Sequence, residues 1–201
     1  IITRRMLNMA NKEINIEVSA RHVHLSQADI EKLYGEGYEL TNIKDIAGGF
    51  VAGERLTLVG PKKSLQRVAI LGPARKETQV ELSLTDARTL GLADVPIRLS
   101  GKLDGTPGMK IVGENGVEIE IDHGVMIAQR HVHVADADAE ELGLEQNQNV
   151  TVVIDTGLGR KTVYDDCPVR IGGPATVMHI DTDEGNAACT GRACTGIMIA
   201  E

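Results

Sequence analysis

Four of the six histidines stand in two copies of one tetrapeptide, Arg-His-Val-His, at residues 21–24 and 130–133. Along a β-strand, residues i and i+2 share a face, with Cα atoms about 6.6 Å apart. His22 with His24, and His131 with His133, can therefore converge on one cation, while Val23 and Val132 point the other way into apolar packing. One such pair alone reads equally well as two surface or hydrogen-bonded histidines. Two copies, each led by an arginine, favour metal binding. A protein metal site needs a third ligand, and two stretches offer one. Glu81 lies in Thr-Gln-Val-Glu-Leu-Ser, on a strand whose face it shares with Gln79 and Ser83. His179 lies in Met-His-Ile-Asp-Thr-Asp-Glu-Gly-Asn, followed by Asp181, Asp183 and Glu184. Taken separately, the first is a solvated strand carboxylate and the second an acidic turn. Imidazoles with one carboxylate suit zinc, and also accommodate cobalt, nickel, iron or manganese. His123, in an Asp-His-Gly turn, reads as a surface residue. Cys167, Cys189 and Cys194 lack C-x-x-C spacing and read as structural or free thiols.

Positive charge is concentrated near one of these candidates. Arg75 and Lys76 follow a Gly-Pro turn and precede Glu81 by six and five residues. A guanidinium on a rigid turn presents a planar fork for phosphate or carboxylate, which makes Arg75 a candidate oxyanion clamp. A similar turn, Val-Gly-Pro-Lys-Lys, offers Lys62 and Lys63 to a second anionic group, such as a phosphate of a coenzyme. Neither a P-loop nor a dinucleotide-binding glycine motif occurs.

The elements that must position these residues repeat. Residues 18–33, VSARHVHLSQADIEKL, match residues 127–142, IAQRHVHVADADAEEL, at an offset of 109 positions. A period this long indicates an internal duplication at the scale of a domain. Helical signals are brief: Ser26 to Leu33 with Ser26 as N-cap, Thr85 to Leu90, and Asp136 to Leu142. Strand-like alternation recurs at 14–19, 54–60, 66–72, 79–84, 95–101, 117–122, 149–155 and 167–172, between Gly, Pro and Asn turns. The expectation is a mainly β fold of two β-barrel domains with short capping helices.

Composition narrows the function classes. The chain has 201 residues, 42% of them hydrophobic and 25% charged, enough for a sizeable core. With no Trp, three Tyr and one Phe, base-stacking platforms are poorly supplied, and a net charge of −8 argues against nucleic acid or an anionic membrane as partner. No apolar stretch reaches the roughly 20 residues of a spanning helix, and the N-terminal residues lack the core of a secretory signal. Three cysteines suit a reducing compartment, so a cytoplasmic location is expected. On the residues alone, a dinuclear metal-dependent hydrolase and a non-catalytic metal-binding module also remain open.

Four segments, VSARHVHLS, LGPARKETQVELSLTDA, GVMIAQRHVHV and MHIDTDEGNAA, occur in an order and spacing that resembles the propanediol-utilisation-type phosphotransacylases, the phosphate propanoyltransferase (PduL) family, over roughly residues 13–190. The resemblance implies interconversion of acyl-coenzyme A (propanoyl- or acetyl-) plus phosphate with acyl phosphate plus coenzyme A. It implies two zinc ions, one held by His22, His24 and Glu81 with a position open to the coenzyme A sulfur, the other held by His131, His133 and His179 with water ligands. Arg75 becomes the phosphate-binding arginine and Lys62 and Lys63 candidate coenzyme A contacts. It further implies a central barrel over 21–128, a second discontinuous barrel from 13–20 with 129–200, and an N-terminal leader over 1–12. A homodimer is expected, as is a location in the cytoplasm or inside a bacterial microcompartment, where an association with the shell would follow.

Overall fold

The protein is described here by a computed structural model covering residues 10–46, 48–191 and 194–200. Strands dominate, and the chain divides into two compact units, one holding the chain up to Ser19 and from Arg130 onward, the other Ala20–Gln129. Residues 1–9 of the expected leader lie outside the described residues; 10–12 open the first strand.

The first unit is built on β1 (Ala10–Ser19). The second contains β2 (His22–His24), α1 (Gln27–Tyr34), β3 (Asn42–Ile46), β4 (Gly49–Val59), β5 (Ser64–Gly72), β6 (Gln79–Leu82), α2 (Leu84–Leu90), β7 (Ile97–Arg98), β8 (Met109–Gly113), β9 (Glu118–Ile121) and β10 (Val125–Ala128). The chain then returns to the first unit with β11 (His131–Val134), α3 (Asp136–Leu142), β12 (Asn149–Ile154), β13 (Thr162–Ile171), β14 (Val177–Asp181), α4 (Thr182–Ala188) and β15 (Cys194–Ala200).

In the first unit, six strands close into a barrel in the order β1-β14-β11-β13-β12-β15. Val132, Val152, Cys167, Val169, Met178 and Met198 fill its interior and are wholly buried. In the second unit the sheet runs β7-β10-β6-β2-β5-β4-β8-β9, with β3 paired to β4, and curls as a half-barrel around Val23, Ile70, Val80, Leu58 and Ile111. Strand β4 pairs antiparallel with β3 and with β5, and its first residues pass close to the end of β5. A Cβ at Gly49 would strike the Gly72 carbonyl, and one at Gly72 would strike the Phe50 ring, so both positions need glycine for close approach. Among the described residues no helix is long and apolar enough to cross a membrane.

Two local readings change, and the C-terminal segment gains a place. The strand expected over 95–101 reduces to Ile97–Arg98, because Pro96 has no N–H to give and a turn from Leu99 to Lys102 leads the chain away. The acidic turn expected after His179 is helix α4, opened by a capping box in which Asp181 accepts from the Glu184 N–H. The Cys-containing C-terminal segment is β15, which pairs with β1 and β12 and closes the barrel.

The duplicated segment also repeats its hydrogen bonds. The Ser26 N–H donates to Thr78 Oγ1 at 2.9 Å, and that hydroxyl donates to Asp29 Oδ2 at 2.6 Å. In the barrel the Ala135 N–H donates to Thr176 Oγ1 at 3.0 Å, and Thr176 donates to Asp138. Each threonine ties the start of a helix to the strand that carries a third candidate ligand. Thr78→Val would strip a buried N–H and a buried carboxylate of one partner each. A loss of about 1–3 kcal/mol is expected, read as a lower urea midpoint, and an unchanged midpoint would remove this tie from the stabilising set.

Candidate metal centres

The short strand β2 sits between a parallel neighbour, β5, and an antiparallel one, β6. Val23 lies in register with Ile70 and Val80, and all three are wholly buried. That rung fixes the rotation of β2, so His22 and His24 leave the opposite face. The antiparallel register places Glu81 directly across from His22. His22 Nε2 lies 3.5 Å from Glu81 Oε2, and His24 Nε2 lies 3.7 Å from Glu81 Oε1.

The barrel builds the same arrangement. Val132 lies in register with Val169 and Met178, again wholly buried, and β14 places His179 across from His131. His131 Nε2 and His133 Nε2 are 3.2 Å apart, and the His179 ring centroid lies 5.3 Å and 5.1 Å from theirs. Within each cluster the ligand-type atoms lie within 4.8 Å of one another. The structure thus gathers all six histidine and glutamate candidates into two triads. Asp181, Asp183 and Glu184 belong to neither triad. Asp181 caps α4 and Glu184 accepts a 2.7 Å bond from Arg130.

Hydrogen bonding sets the histidine tautomers in the first triad. His22 Nδ1 is 2.9 Å from the Ala20 carbonyl and His24 Nδ1 is 2.9 Å from the Leu71 carbonyl. A carbonyl can only accept, so both Nδ1 atoms carry hydrogen and both Nε2 atoms are turned towards Glu81. Burial, then the His22 and Arg75 charges, push His24 down to about 3. Burial would raise the Glu81 carboxyl, but the neighbouring imidazoles, Ser100 and Arg75 outweigh it and hold it below the usual carboxylate range. In the second triad, burial with His131 and Arg170 pushes His133 down to about 4. Neutral imidazoles and an ionised carboxylate are the forms that bind a cation.

Arg75 is exposed on the loop before β6, where its N–H donates to the Leu25 carbonyl at 2.8 Å. Its Nη1 donates to Ser100 Oγ at 2.7 Å. Gln79 Nε2 donates to the same oxygen at 2.7 Å and to Glu81 Oε1 at 2.8 Å, and the Gly101 N–H donates to Gln79 Oε1 at 3.0 Å. Gln79 and Ser100 thus connect the oxyanion candidate to a ligand candidate. Gln79 was visible in sequence as sharing the face of Glu81. Ser100 carried no local signal, because only the fold brings it to β6. Ser83, also expected on that face, is the N-cap of α2. Lys62 and Lys63 lie exposed at the β4–β5 turn, with the Lys62 side chain against Gly91, and belong to neither triad. His123 is half-buried, between Asp122 and Glu77.

The arginines that open the two motifs act on the frame. Arg21 Nη1 donates to Asp86 Oδ1 at 2.8 Å, and Arg130 Nη1 to Glu184 Oε1 at 2.7 Å. Both acids are the third residue of a capped helix, α2 or α4, that follows the strand of the third candidate ligand. Each arginine therefore fastens the histidine strand to the strand facing it.

Sequence comparison gives a family. A family model described as phosphate propanoyltransferase matches residues 15–191. Curated proteins with that name are similar over most of the chain. One from Thermotoga maritima is 46% identical over 190 residues, covering 92% of this chain and 89% of the relative. One from Clostridioides difficile is 44% identical over 192 residues, covering 92% and 90%. One from Enterococcus faecalis is 41% identical over 201 residues, covering 98% and 93%.

Two outcomes follow from the triads. His22→Ala should lower zinc retained after loading and desalting, with the barrel triad still able to hold its share; unchanged zinc by elemental analysis would remove His22 from the ligands. In chelated protein, His24 and His133 stay neutral when folded but take up protons on unfolding below their usual 6.5. The unfolded chain then binds more protons, so stability is complete above about pH 6.5 and declines as pH falls towards 4. A urea midpoint that stays level from pH 7 to 4.5 would contradict this burial.

Proposed function

The chain belongs to the phosphate propanoyltransferase family and is an acyltransferase, and we propose that it uses two zinc ions, held by His22, His24 and Glu81 and by His131, His133 and His179, to exchange coenzyme A for phosphate on a propanoyl or acetyl group. The observation that carries this reading is the donor chemistry of the triads. In the first, Nδ1–H groups are committed to backbone carbonyls, leaving two Nε2 lone pairs and an ionised carboxylate turned towards one point. Three protein ligands with nitrogen and oxygen donors are the pattern of zinc sites that keep a position open for chemistry.

Phosphorolysis of a thioester forms one bond between a phosphate oxygen and the carbonyl carbon and breaks the carbon–sulfur bond, giving acyl phosphate and coenzyme A thiolate. Bound zinc supplies an open position that favours a sulfur ligand in its thiolate form. The chain supplies the rest. Arg75 meets the phosphate through its planar fork, reduces its negative charge and aims an oxygen at the carbonyl carbon. Ser100 accepts from Arg75 Nη1 and so fixes where the guanidinium points. Gln79 holds Glu81 Oε1, which keeps the carboxylate turned towards His22 and His24. The two Nδ1-to-carbonyl bonds keep the imidazoles in the ligating tautomer.

Release of coenzyme A from propanoyl-coenzyme A should require inorganic phosphate, and chelation followed by zinc should abolish and restore it. Release that persists without phosphate would replace transfer by hydrolysis. Arg75→Ala should lower turnover by about 100- to 1000-fold while bound zinc is retained. Wild-type turnover in that variant would take Arg75 out of the reaction.

A further inference from the structure

The barrel triad carries a guanidinium in strand register with one of its histidines. On the outer face, one rung reads Glu17–His179–His131 across β1, β14 and β11. The next reads Val177–His133–Arg170 across β14, β11 and β13. Residues paired in register share a face, so the Arg170 side chain leaves the sheet beside that of His133. Its charge contributes to keeping His133 neutral. Arg170 is half-buried, and among the described residues it has no ion-pair partner. A carboxylate on the triad's rim, Glu17, has its Oε2 3.5 Å from His179 Nε2. It sits three strands from Arg170, about 14 Å across the sheet.

The equivalent position in the half-barrel is Leu71, one residue beyond the Val23–Ile70 pair, as Arg170 is one beyond Val132–Val169. That triad instead contains a carboxylate as a ligand candidate. The barrel triad consists of three imidazoles, with a guanidinium at one edge and Glu17 at the other. An imidazole brings no negative charge to a divalent cation, so with one in place the Arg170 edge calls for an anion.

We propose that Arg170 binds a phosphoryl oxyanion at the His131–His133–His179 triad, a proposal that rests on the acyl-transfer reading above. A guanidinium beside a cation with an open position can grip one phosphoryl group through two N–H donors while the cation takes another oxygen. The oxyanion is either inorganic phosphate, equivalently the phosphoryl end of the acyl phosphate, or a phosphate of coenzyme A.

The test uses the zinc-loaded full chain and the variants Arg170→Gln and Arg170→Lys. Inorganic phosphate binding is measured by calorimetry without thioester, zinc by elemental analysis, and KM separately for phosphate, propanoyl-coenzyme A and its 3′-dephospho form. If the oxyanion is phosphate, Arg170→Gln weakens phosphate binding and raises its KM by about 10- to 100-fold, with zinc content unchanged and partial recovery in Arg170→Lys. If it is the coenzyme's 3′-phosphate, the KM for propanoyl-coenzyme A rises instead and that for the dephospho form does not. Unchanged phosphate binding with unchanged KM values overturns the proposal, as does loss of zinc from Arg170→Gln, which would make the residue part of the frame. A wild-type protein with no phosphate-dependent turnover would defeat the acyl-transfer reading, while the calorimetry would still decide on Arg170.

Discussion

The period of two along a β-strand, locked by a buried valine, is the constraint from which both centres follow. Val23 and Val132 each lie in a rung of three wholly buried aliphatic residues. Rotating either strand would take that rung out of the apolar core and put two imidazoles in its place. Removing a fully buried valine from a core costs about 1.5–3 kcal/mol, and an imidazole without partners there costs more. The histidines therefore leave the face away from that core because of what their intervening neighbour must do. Register then supplies the third candidate, since the residue facing the first histidine is Glu81 in one unit and His179 in the other.

The two copies keep their frame and differ in charge. Both retain the threonine between helix start and facing strand, the arginine bound to the third residue of a capped helix, and the parallel strand beside the histidines. The side-chain cap is kept only in the half-barrel, where Ser26 accepts from the Asp29 N–H; its counterpart Ala135 cannot. Carboxylate against imidazole, and Leu71 against Arg170, change what the centres attract. A centre containing Glu81 offsets part of a cation's charge and suits a soft thiolate as further ligand. A centre of imidazoles edged by a guanidinium leaves a cation's charge in place and suits a phosphoryl group.

How much of this could be read from the chain depended on whether the signal was local. The His-Val-His alternation, the duplicated segment and the mainly β character are properties of short windows and were legible. The division of third ligands was not, because Glu81 reaches His22 only through β2–β6 pairing; residues alone left Glu81 competing with Asp181, Asp183 and Glu184. Helix α4 was hidden by its length and by Gly185, although Asp181 and Glu184 have the spacing of a capping box. Strand β15 was hidden by its small residues, Cys194, Thr195 and Gly196, in front of the Ile-Met-Ile run that seals the barrel. Ser100 left no trace in sequence, since its importance comes from a turn folded back onto β6.

That serine has a consequence for how the half-barrel centre responds to a bound anion. Its oxygen receives N–H groups from Arg75 and Gln79, which occupies both lone pairs, and Gln79 carries the line of bonds on to Glu81. A carboxylate accepts, so the Gln79 amide nitrogen must face Glu81, and the Gly101 N–H on the amide oxygen agrees with that orientation. Arg75 and Gln79 both donate to Ser100, and Gln79 also donates to Glu81. If phosphate draws Arg75 Nη1 away from Ser100, the serine oxygen keeps the Gln79 Nε2 donor alone. Gln79 still holds Glu81 Oε1 through the same amide nitrogen, with its own oxygen fixed by the Gly101 N–H. The anion candidate and the ligand candidate are in this way joined by two side chains, and the arginine can leave without releasing the carboxylate.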